Sequence, residues 1–176
     1  SSQPSLSTIQ LSHNQFTGDI PTELFSLQNL SSLSLESNCF ETSLPPELCE
    51  LSQLEVLDLS GLHTASSCQH VLLPGLSSSY VSRGYVSQKS VPACYFHMPS
   101  LLLLHLSGNS HTGTIPSDIS ATLQDLSLSH NFLTGSIPSS VQDRNWFNLD
   151  LSHNRLKGLL RQYAVSKGQQ LSLIHI

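Results

Sequence analysis

The chain repeats one pattern of apolar residues, asparagine, glycine and proline along most of its length. The tetrapeptide LSHN occurs three times, ending at Asn14, Asn131 and Asn154. Copies of the wider pattern start near residues 6, 30, 54, 101, 123 and 146, with 24 residues between the first starts. Self-similarity at such a period is typical of a solenoid, in which each coil packs only on its neighbours.

The shared pattern can be written LxxLxLxxNxLxGxIP, where x is any residue, and it resembles the plant-type leucine-rich repeat. The resemblance rests on leucines, asparagine, glycine and the Ile-Pro pair, which recur in register. It implies a leucine-rich-repeat solenoid of about seven coils within residues 1–160. We expect a right-handed, curved parallel β-sheet on the concave face, with 3₁₀ or irregular segments on the convex side.

The LxL alternation assigns a role to each repeat position. Because successive side chains of a strand point to opposite faces, Leu33 and Leu35 should point inward and Ser34 outward. The repeated asparagine should turn the chain out of the strand and satisfy backbone groups there, since buried polar groups need hydrogen-bond partners. This interpretation makes a structural ladder of Asn14, Asn38, Asn109, Asn131 and Asn154.

The repeat fades between Asp58 and Leu101, where two interpretations fit equally well. Leu54 and Leu101 lie 47 residues apart, which matches two coils, and Val91-Pro92 aligns with Ile20-Pro21. The first interpretation is a degenerate fourth coil starting near residue 77, with Tyr80 and Ser82 at strand positions and Tyr85 at the asparagine position. Two adjacent asparagine rungs would then be missing. The alternative is an excursion looped out between residues 63 and 83.

Both ends of the chain lack the features of a capped repeat domain. We interpret the chain as a fragment that lacks both caps, and we expect residues 161–170 to form an irregular tail. The last six residues, 171–176 (LSLIHI), back-translate to a common sequencing adapter. We interpret them as a translated artefact and leave them out of the fold.

The four cysteines are the first candidates for chemistry: Cys39, Cys49, Cys68 and Cys94. An even number in a family that is generally extracellular favours disulfides, with at least one bridge involving Cys68. Two Cys-His pairs, at Cys68 and Cys94, suggest a zinc site less strongly, because neither has the compact C-x-x-C spacing. We expect no metal. A bridge from Cys49 to Cys94, two coils apart, should exceed the Cα separation of ~7 Å that a disulfide tolerates.

The histidine of LSHN follows an inward leucine and an outward serine, so it should stand on the exposed end of the strand. His130 and His153 occupy this place on adjacent coils and should lie within one or two strand spacings. A weak metal site or a pH-sensitive patch is one interpretation. A tolerant solvent position that happens to carry histidine is the favoured one, since no third ligand has matching spacing.

Composition and motifs exclude several functional classes. The chain has a net charge of −5 and only 7 Lys and Arg, which argues against nucleic acid binding. No stretch reaches the ~20 apolar residues of a membrane span. The G-x-S-x-G, G-x-x-x-x-G-K-[ST] and H-E-x-x-H motifs are absent. We therefore expect neither an enzyme nor a cofactor.

The resemblance implies a recognition module of an extracellular or cell-surface protein, either part of a receptor-like protein or secreted. We expect it to bind a peptide, protein or glycan through outward residues of the concave face: Glu36, Asp58, His105, Ser107, Asp125, Ser127, His130, Asp150 and His153. One alternative is an inhibitor of a secreted cell-wall hydrolase. Another is an ice-binding solenoid, which aligned threonines favour: Thr17, Thr42, Thr112 and Thr134. Asn29 begins the sequon Asn29-Leu30-Ser31 and is a glycosylation candidate.

Overall fold

A computed structural model of the protein describes residues 6–40, 44–63 and 90–160. Its main sheet has six parallel strands, in the spatial order β1, β3, β5, β6, β7, β8. These strands are β1 (Thr8–Gln10), β3 (Ser32–Ser34), β5 (Val56–Asp58), β6 (Leu103–His105), β7 (Asp125–Ser127) and β8 (Asn148–Asp150). One parallel sheet with one strand per repeat confirms the predicted solenoid fold.

Each strand is short because it makes one side of a coil. The central residue of a strand points inward, and Leu33, Leu57, Leu104 and Leu126 have no exposed surface. The pairing keeps these positions in line, with Ile9 opposite Leu33, Leu33 opposite Leu57, and Leu57 opposite Leu104. A one-residue slip would turn every leucine outward, so the apolar pattern fixes the register.

Short helical segments lie on the other side of the coils. Within the described residues, three 3₁₀ helices and one α-helix each begin at or directly after a proline. The 3₁₀ helices are Thr22–Ser26, Pro46–Glu50 and Ala93–His97, and the α-helix is α1 (Ser139–Gln142). Proline fixes φ and has no N–H to lose at a helix start. This confirms the predicted 3₁₀ segments, including the alignment of Val91-Pro92 with Ile20-Pro21. A second small sheet pairs β2 (Thr17–Gly18) with β4 (Cys39–Phe40).

The asparagines form a ladder beside the main sheet. The Nδ2 atom of Asn131 donates hydrogen bonds to the carbonyls of Leu106 (3.0 Å), Leu128 (3.0 Å) and Ser129 (3.1 Å). Its Oδ1 atom accepts from the backbone amides of Asn109 (3.2 Å) and His111 (2.8 Å). Each such side chain thus ties its own turn to that of the preceding coil. Equivalent bonds are made by Asn38, Asn109 and Asn154.

The sheet contains fewer coils after the third one than the first interpretation predicts. Strand β5 pairs directly with β6, with Val56 opposite Leu103 and Asp58 opposite His105. A complete fourth coil would place its own strand between them. No strand of the described residues lies there, which agrees with the alternative interpretation, an excursion. Residues 64–89 themselves, with Tyr80, Ser82 and Tyr85, lie outside the described residues.

Six coils therefore account for the described residues, and we number them by their strands. Coils 1 and 2 start at Leu6 and Leu30, and coils 4, 5 and 6 start at Leu101, Leu123 and Trp146. Coil 3 consists of residues 54–63 and 90–100, in two stretches of the chain. It lacks one asparagine rung rather than the expected two, because the buried Leu62 stands at that position and its amide donates to Asn109 Oδ1 at 2.9 Å.

The expectation that Cys49 and Cys94 are too far apart is wrong. They form a disulfide with a Cα separation of 6.0 Å. The error follows from the extra coil, because without it the 3₁₀ helices of coils 2 and 3 are neighbours. Tyr95 reinforces this junction: its ring is fully buried, and its hydroxyl donates to the Pro45 carbonyl at 2.9 Å. Cys39 is also disulfide-bonded, whereas Cys68 lies outside the described residues.

Candidate functional site

The solvent-facing side of the main sheet, here called the sheet face, carries seven of the nine predicted binding residues, and His130 and His153 lie beside it. Strand alternation leaves outward side chains half-buried around a buried central residue. The face consists of Thr8, Gln10, Ser12, Ser32, Ser34, Glu36, Val56, Asp58, Ser60, Leu103, His105, Ser107, Asp125, Ser127, Ser129, Asn148, Asp150 and Ser152.

Two aspartates and one histidine meet near the middle of the sheet face. The Nε2 atom of His105 lies 2.8 Å from Asp125 Oδ1, and its Nδ1 atom lies 3.8 Å from Asp58 Oδ2. Asn148 Nδ2 donates to the same Asp125 oxygen at 3.0 Å. We call Asp58, His105, Asp125 and Asn148 the central cluster. It joins four consecutive strands, so the side chains are held by the register of the sheet.

Electrostatics favour the charged forms of His105 and Asp58. Burial lowers the pKa of His105, but hydrogen bonds and charge interactions with Asp58 and Asp125 outweigh it, so the pKa is raised above its usual value. Burial alone would raise the pKa of Asp58, yet hydrogen bonds from His105 and Ser60 lower it overall. The contact between the two side chains therefore favours the protonated form of His105 and the ionised form of Asp58.

Serine hydroxyls link the coils beside the central cluster. The Oγ atoms of Ser107 and Ser127 lie 2.7 Å apart, and Ser129 Oγ donates to Ser107 Oγ at 3.0 Å. Asp150 accepts the backbone amide of Ser152 at 3.0 Å. Burial raises the pKa of Asp150, but hydrogen bonds from Ser152 and Ser129 lower it overall. Glu36 is separate from this group, and its carboxylate lies 3.6 Å from His13 Nε2.

The histidines of LSHN occupy a special backbone position. His13, His130 and His153 all have φ between 53° and 57°, and the equivalent residues Gly61 and Gly108 have φ of 55° and 71°. Ser37 of coil 2 has φ of 53°, so this repeat position is left-handed in all six coils. The conformation favours glycine and tolerates histidine better than most residues. His130 and His153 are exposed and stacked, with ring centroids 4.0 Å apart.

Two parts of this surface escaped the sequence reasoning. Asn148 was not assigned to the site, although strand alternation points it outward and it is the register partner of Asp125. The other part is an apolar edge, here defined as Leu102, Leu103 and Phe147, where the strands begin. Phe147 is 86% exposed and Leu102 is 38% exposed. Both follow the first apolar residue of a repeat, a position that the pattern leaves free.

The described residues offer few other chemical sites. Within residues 6–40, 44–63 and 90–160, no group of three or more His, Cys, Asp or Glu side chains is arranged to hold a metal ion. The helices in this part of the chain are all too short to cross a membrane.

Comparison with protein families and solved structures gives a consistent result. Leucine-rich-repeat family models match residues 4–62, 100–121 and 122–143. No curated protein sequence matches the chain. The structure of the BIR3–SERK2 complex from Arabidopsis thaliana is 31% identical with a TM-score of 0.68, and the match covers 90% of this chain and 73% of that one.

Two further structures are similar over most of this chain but are much longer. The Arabidopsis receptor kinase HAESA ectodomain, in complex with an IDA peptide hormone ligand, is 29% identical with a TM-score of 0.65, over 87% of this chain and 22% of that one. A plant ice-binding protein is 27% identical with a TM-score of 0.65, over 86% of this chain and 42% of that one. The repeat pattern, the parallel sheet and these matches agree that the chain belongs to the leucine-rich-repeat family.

Proposed function

We propose that this chain is a non-catalytic recognition module whose sheet face binds an extended peptide segment that carries a basic side chain. The observation that supports this most is the central cluster, in which two carboxylates are fixed on a surface that opens to solvent. The side chains of Asp58 and Asp125 keep 20% and 15% of their surface exposed. A ligand can therefore reach them without rearrangement of the sheet.

The charge of the sheet face favours a cationic ligand. Four of its residues are carboxylates, Glu36, Asp58, Asp125 and Asp150, and none is lysine or arginine. Hydrogen bonds between a charged donor and a carboxylate are stronger than neutral ones, and a guanidinium can make two at once. His105 is the only cation that the face itself supplies, and a basic side chain of the ligand would take over its role.

The apolar edge adds a second contact next to the first. Leu103 is the register partner of Asp125, and Asn148, which bonds Asp125, directly follows Phe147 in the sequence. Successive side chains of an extended peptide are spaced ~3.3 Å along the strand. One basic side chain at Asp125 and one apolar side chain at Leu102 or Phe147 are therefore within reach of the same short peptide.

The comparisons support a binding module of this kind. The HAESA ectodomain is described in complex with a peptide hormone, and BIR3 and SERK2 form a complex with each other. The disulfides fit a chain made in an oxidising compartment, so we place the module outside the cell or at its surface. Hydrogen-bonding hydroxyls alone would suit a glycan, but the paired carboxylates favour a cation-bearing peptide.

The test uses secreted full-length chain and a synthetic library of eight-residue peptides. One half of the library contains a fixed arginine beside a leucine, and the matched half has glutamate in place of arginine. We expect capture of arginine peptides only, and a loss of about tenfold or more in affinity when Asp58→Asn and Asp125→Asn remove both charges. Asp118→Asn is the control, since its exposed carboxylate contacts His97 away from the sheet face. Equal capture of both halves would contradict the proposal.

A specific observation also favours ice binding as a second candidate. Isolated parallel bridges pair Ser90 with Thr112 and Thr114 with Thr134, which sets small hydroxyl residues on adjacent coils. This row of hydroxyl residues spans few coils, because Lys157 occupies the place of Thr134 in coil 6. Thr42 lies outside the described residues. A thermal-hysteresis measurement decides it: activity that Thr114→Lys abolishes would establish ice binding, and no activity is expected if the peptide proposal holds.

A further inference from the structure

Asn29 differs from the ladder asparagines in both sequence and environment. It is the only one of the eight asparagines in the chain that is followed, two residues later, by serine or threonine. Its side chain is exposed in the turn between the first 3₁₀ helix and β3. In contrast, the Nδ2 atoms of Asn38, Asn109, Asn131 and Asn154 all donate hydrogen bonds to backbone carbonyls.

The residues around Asn29 keep it in an accessible place. Leu30 is fully buried and anchors the turn to the core, and Ser31 Oγ donates to the Ser7 carbonyl at 3.0 Å. The turn therefore presents Asn29 at the edge where the strands of the main sheet begin. Gln53, Ser100, Thr122 and Asn145 precede the first apolar residue of later coils in the same way, so this repeat position is polar in every one of these coils.

A large group at Asn29 would leave the central cluster open. Asn29 lies where the strands begin, before β3. Asp58 is on the neighbouring strand β5, but it pairs with Ser34 at the other end of the strands. His105 is on β6, about 10 Å from β3 across the sheet, and Asp125 and Asn148 lie further still. A group that projects from the sheet edge at coil 2 can thus coexist with a ligand on coils 3 to 6.

We propose that Asn29 is modified with an N-linked oligosaccharide when the chain is secreted. The co-reactant is a lipid diphosphate-linked oligosaccharide, and Nδ2 of Asn29 forms a bond to the anomeric carbon of its first sugar. The bond from that carbon to the diphosphate breaks, the lipid diphosphate leaves with the electron pair, and Nδ2 loses one proton. The inference rests on the extracellular location given in the proposed function, but not on the ligand.

The first experiment expresses the full chain through the secretory pathway of a eukaryotic cell. Peptide mapping before and after enzymatic glycan removal should show a glycan on Asn29 and its conversion to aspartate on release. Asn29→Gln and Ser31→Ala should abolish the modification, and Ser31→Thr should keep it, because threonine retains the hydroxyl of the sequon. Asn145→Gln, at the equivalent edge of coil 6, should change nothing.

A second variant shows whether the expression host can glycosylate this chain at all. Phe147→Ser places a serine two residues after Asn145 and so creates a second sequon at an equally exposed turn. Modification of Asn145 in this variant, together with an unmodified Asn29 in the secreted chain, would overturn the inference. Capture of arginine peptides should be equal with and without the glycan, so a failure of the peptide proposal leaves the outcome at Asn29 unaffected.

Discussion

Coil 5 and coil 3 are joined to their neighbours by different chemistry. Asn131 of coil 5 makes five hydrogen bonds to backbone groups of coils 4 and 5. Coil 3 has Leu62 in that position and relies on the Cys49–Cys94 disulfide and on Tyr95 to attach it to coil 2. The difference shows that the strand pairing of a solenoid can survive the loss of a repeat residue when the opposite side is crosslinked.

The largest loss of stability is expected in coil 5, which has the repeated asparagine. Asn131→Leu leaves several buried backbone groups without a partner, and each costs about 1–3 kcal/mol. We expect the free energy of unfolding to fall by about 4 kcal/mol in a urea titration. Asn14→Leu is the matched control: Asn14 is exposed and bonds only the carbonyls of Leu11 and Ser12, so it should cost far less. Equal losses at both positions would show that burial of the ladder is unimportant.

The next effect concerns the crosslink of coil 3. Replacing both Cys49 and Cys94 with serine removes a constraint on the unfolded chain, and we expect a loss of about 2–4 kcal/mol in the free energy of unfolding. The same titration with a reductant is the control, since wild type and variant should then unfold at nearly the same urea concentration. A difference that persists in reductant would mean that serine disturbs the packing instead.

A smaller effect is expected at Tyr95. Burial raises the pKa of its hydroxyl, so the group remains a proton donor to the Pro45 carbonyl at all ordinary pH values. Tyr95→Phe keeps the ring in the core and removes only this hydrogen bond. The free energy of unfolding should fall by about 1 kcal/mol. A loss as large as that of the disulfide variant would make Tyr95, rather than the crosslink, the main attachment of coil 3.

The smallest effect is a pH dependence that links the two regions, because the central cluster runs from coil 3 to coil 6. His105 has a raised pKa, so its contribution to stability is complete below the unfolded value of 6.5 and is lost as the pH rises through the folded pKa. Asp58 has a lowered pKa, so its contribution is present above 3.8 and is lost as the pH falls through the folded pKa.

Urea titrations of wild type and His105→Gln at several pH values from below 3.8 to above 6.5 test this pH dependence of stability. The stability difference between them should be largest between pH 3.8 and 6.5 and should shrink above it. His13→Gln, on an exposed histidine near Glu36, serves as the control. A difference that grows with rising pH would contradict the direction of the shift at His105.

Much of this architecture could be predicted because the repeat encodes it locally. The outward positions of Asp58, His105 and Asp125 followed from strand alternation, and the 3₁₀ helix after Pro92 followed from alignment with Pro21. The direct contact of β5 with β6 could not be predicted, because spacing alone does not distinguish a degenerate coil from an excursion. The left-handed backbone at His13, His130 and His153 was missed, although Gly61 and Gly108 at the same repeat position were a signal for it.

The central claim is that β5 pairs directly with β6 and that the 3₁₀ helices Pro46–Glu50 and Ala93–His97 lie side by side, so that coils 2 and 3 are neighbours on both sides. Disulfide mapping of the secreted chain by mass spectrometry tests this most directly. A complete extra coil would move Cys49 and Cys94 about one strand spacing further apart, beyond the Cα range of ~7 Å for a disulfide. We expect a peptide pair that joins Cys49 to Cys94. Cys49 joined to any other cysteine, or Cys49 and Cys94 both as free thiols, would contradict the account.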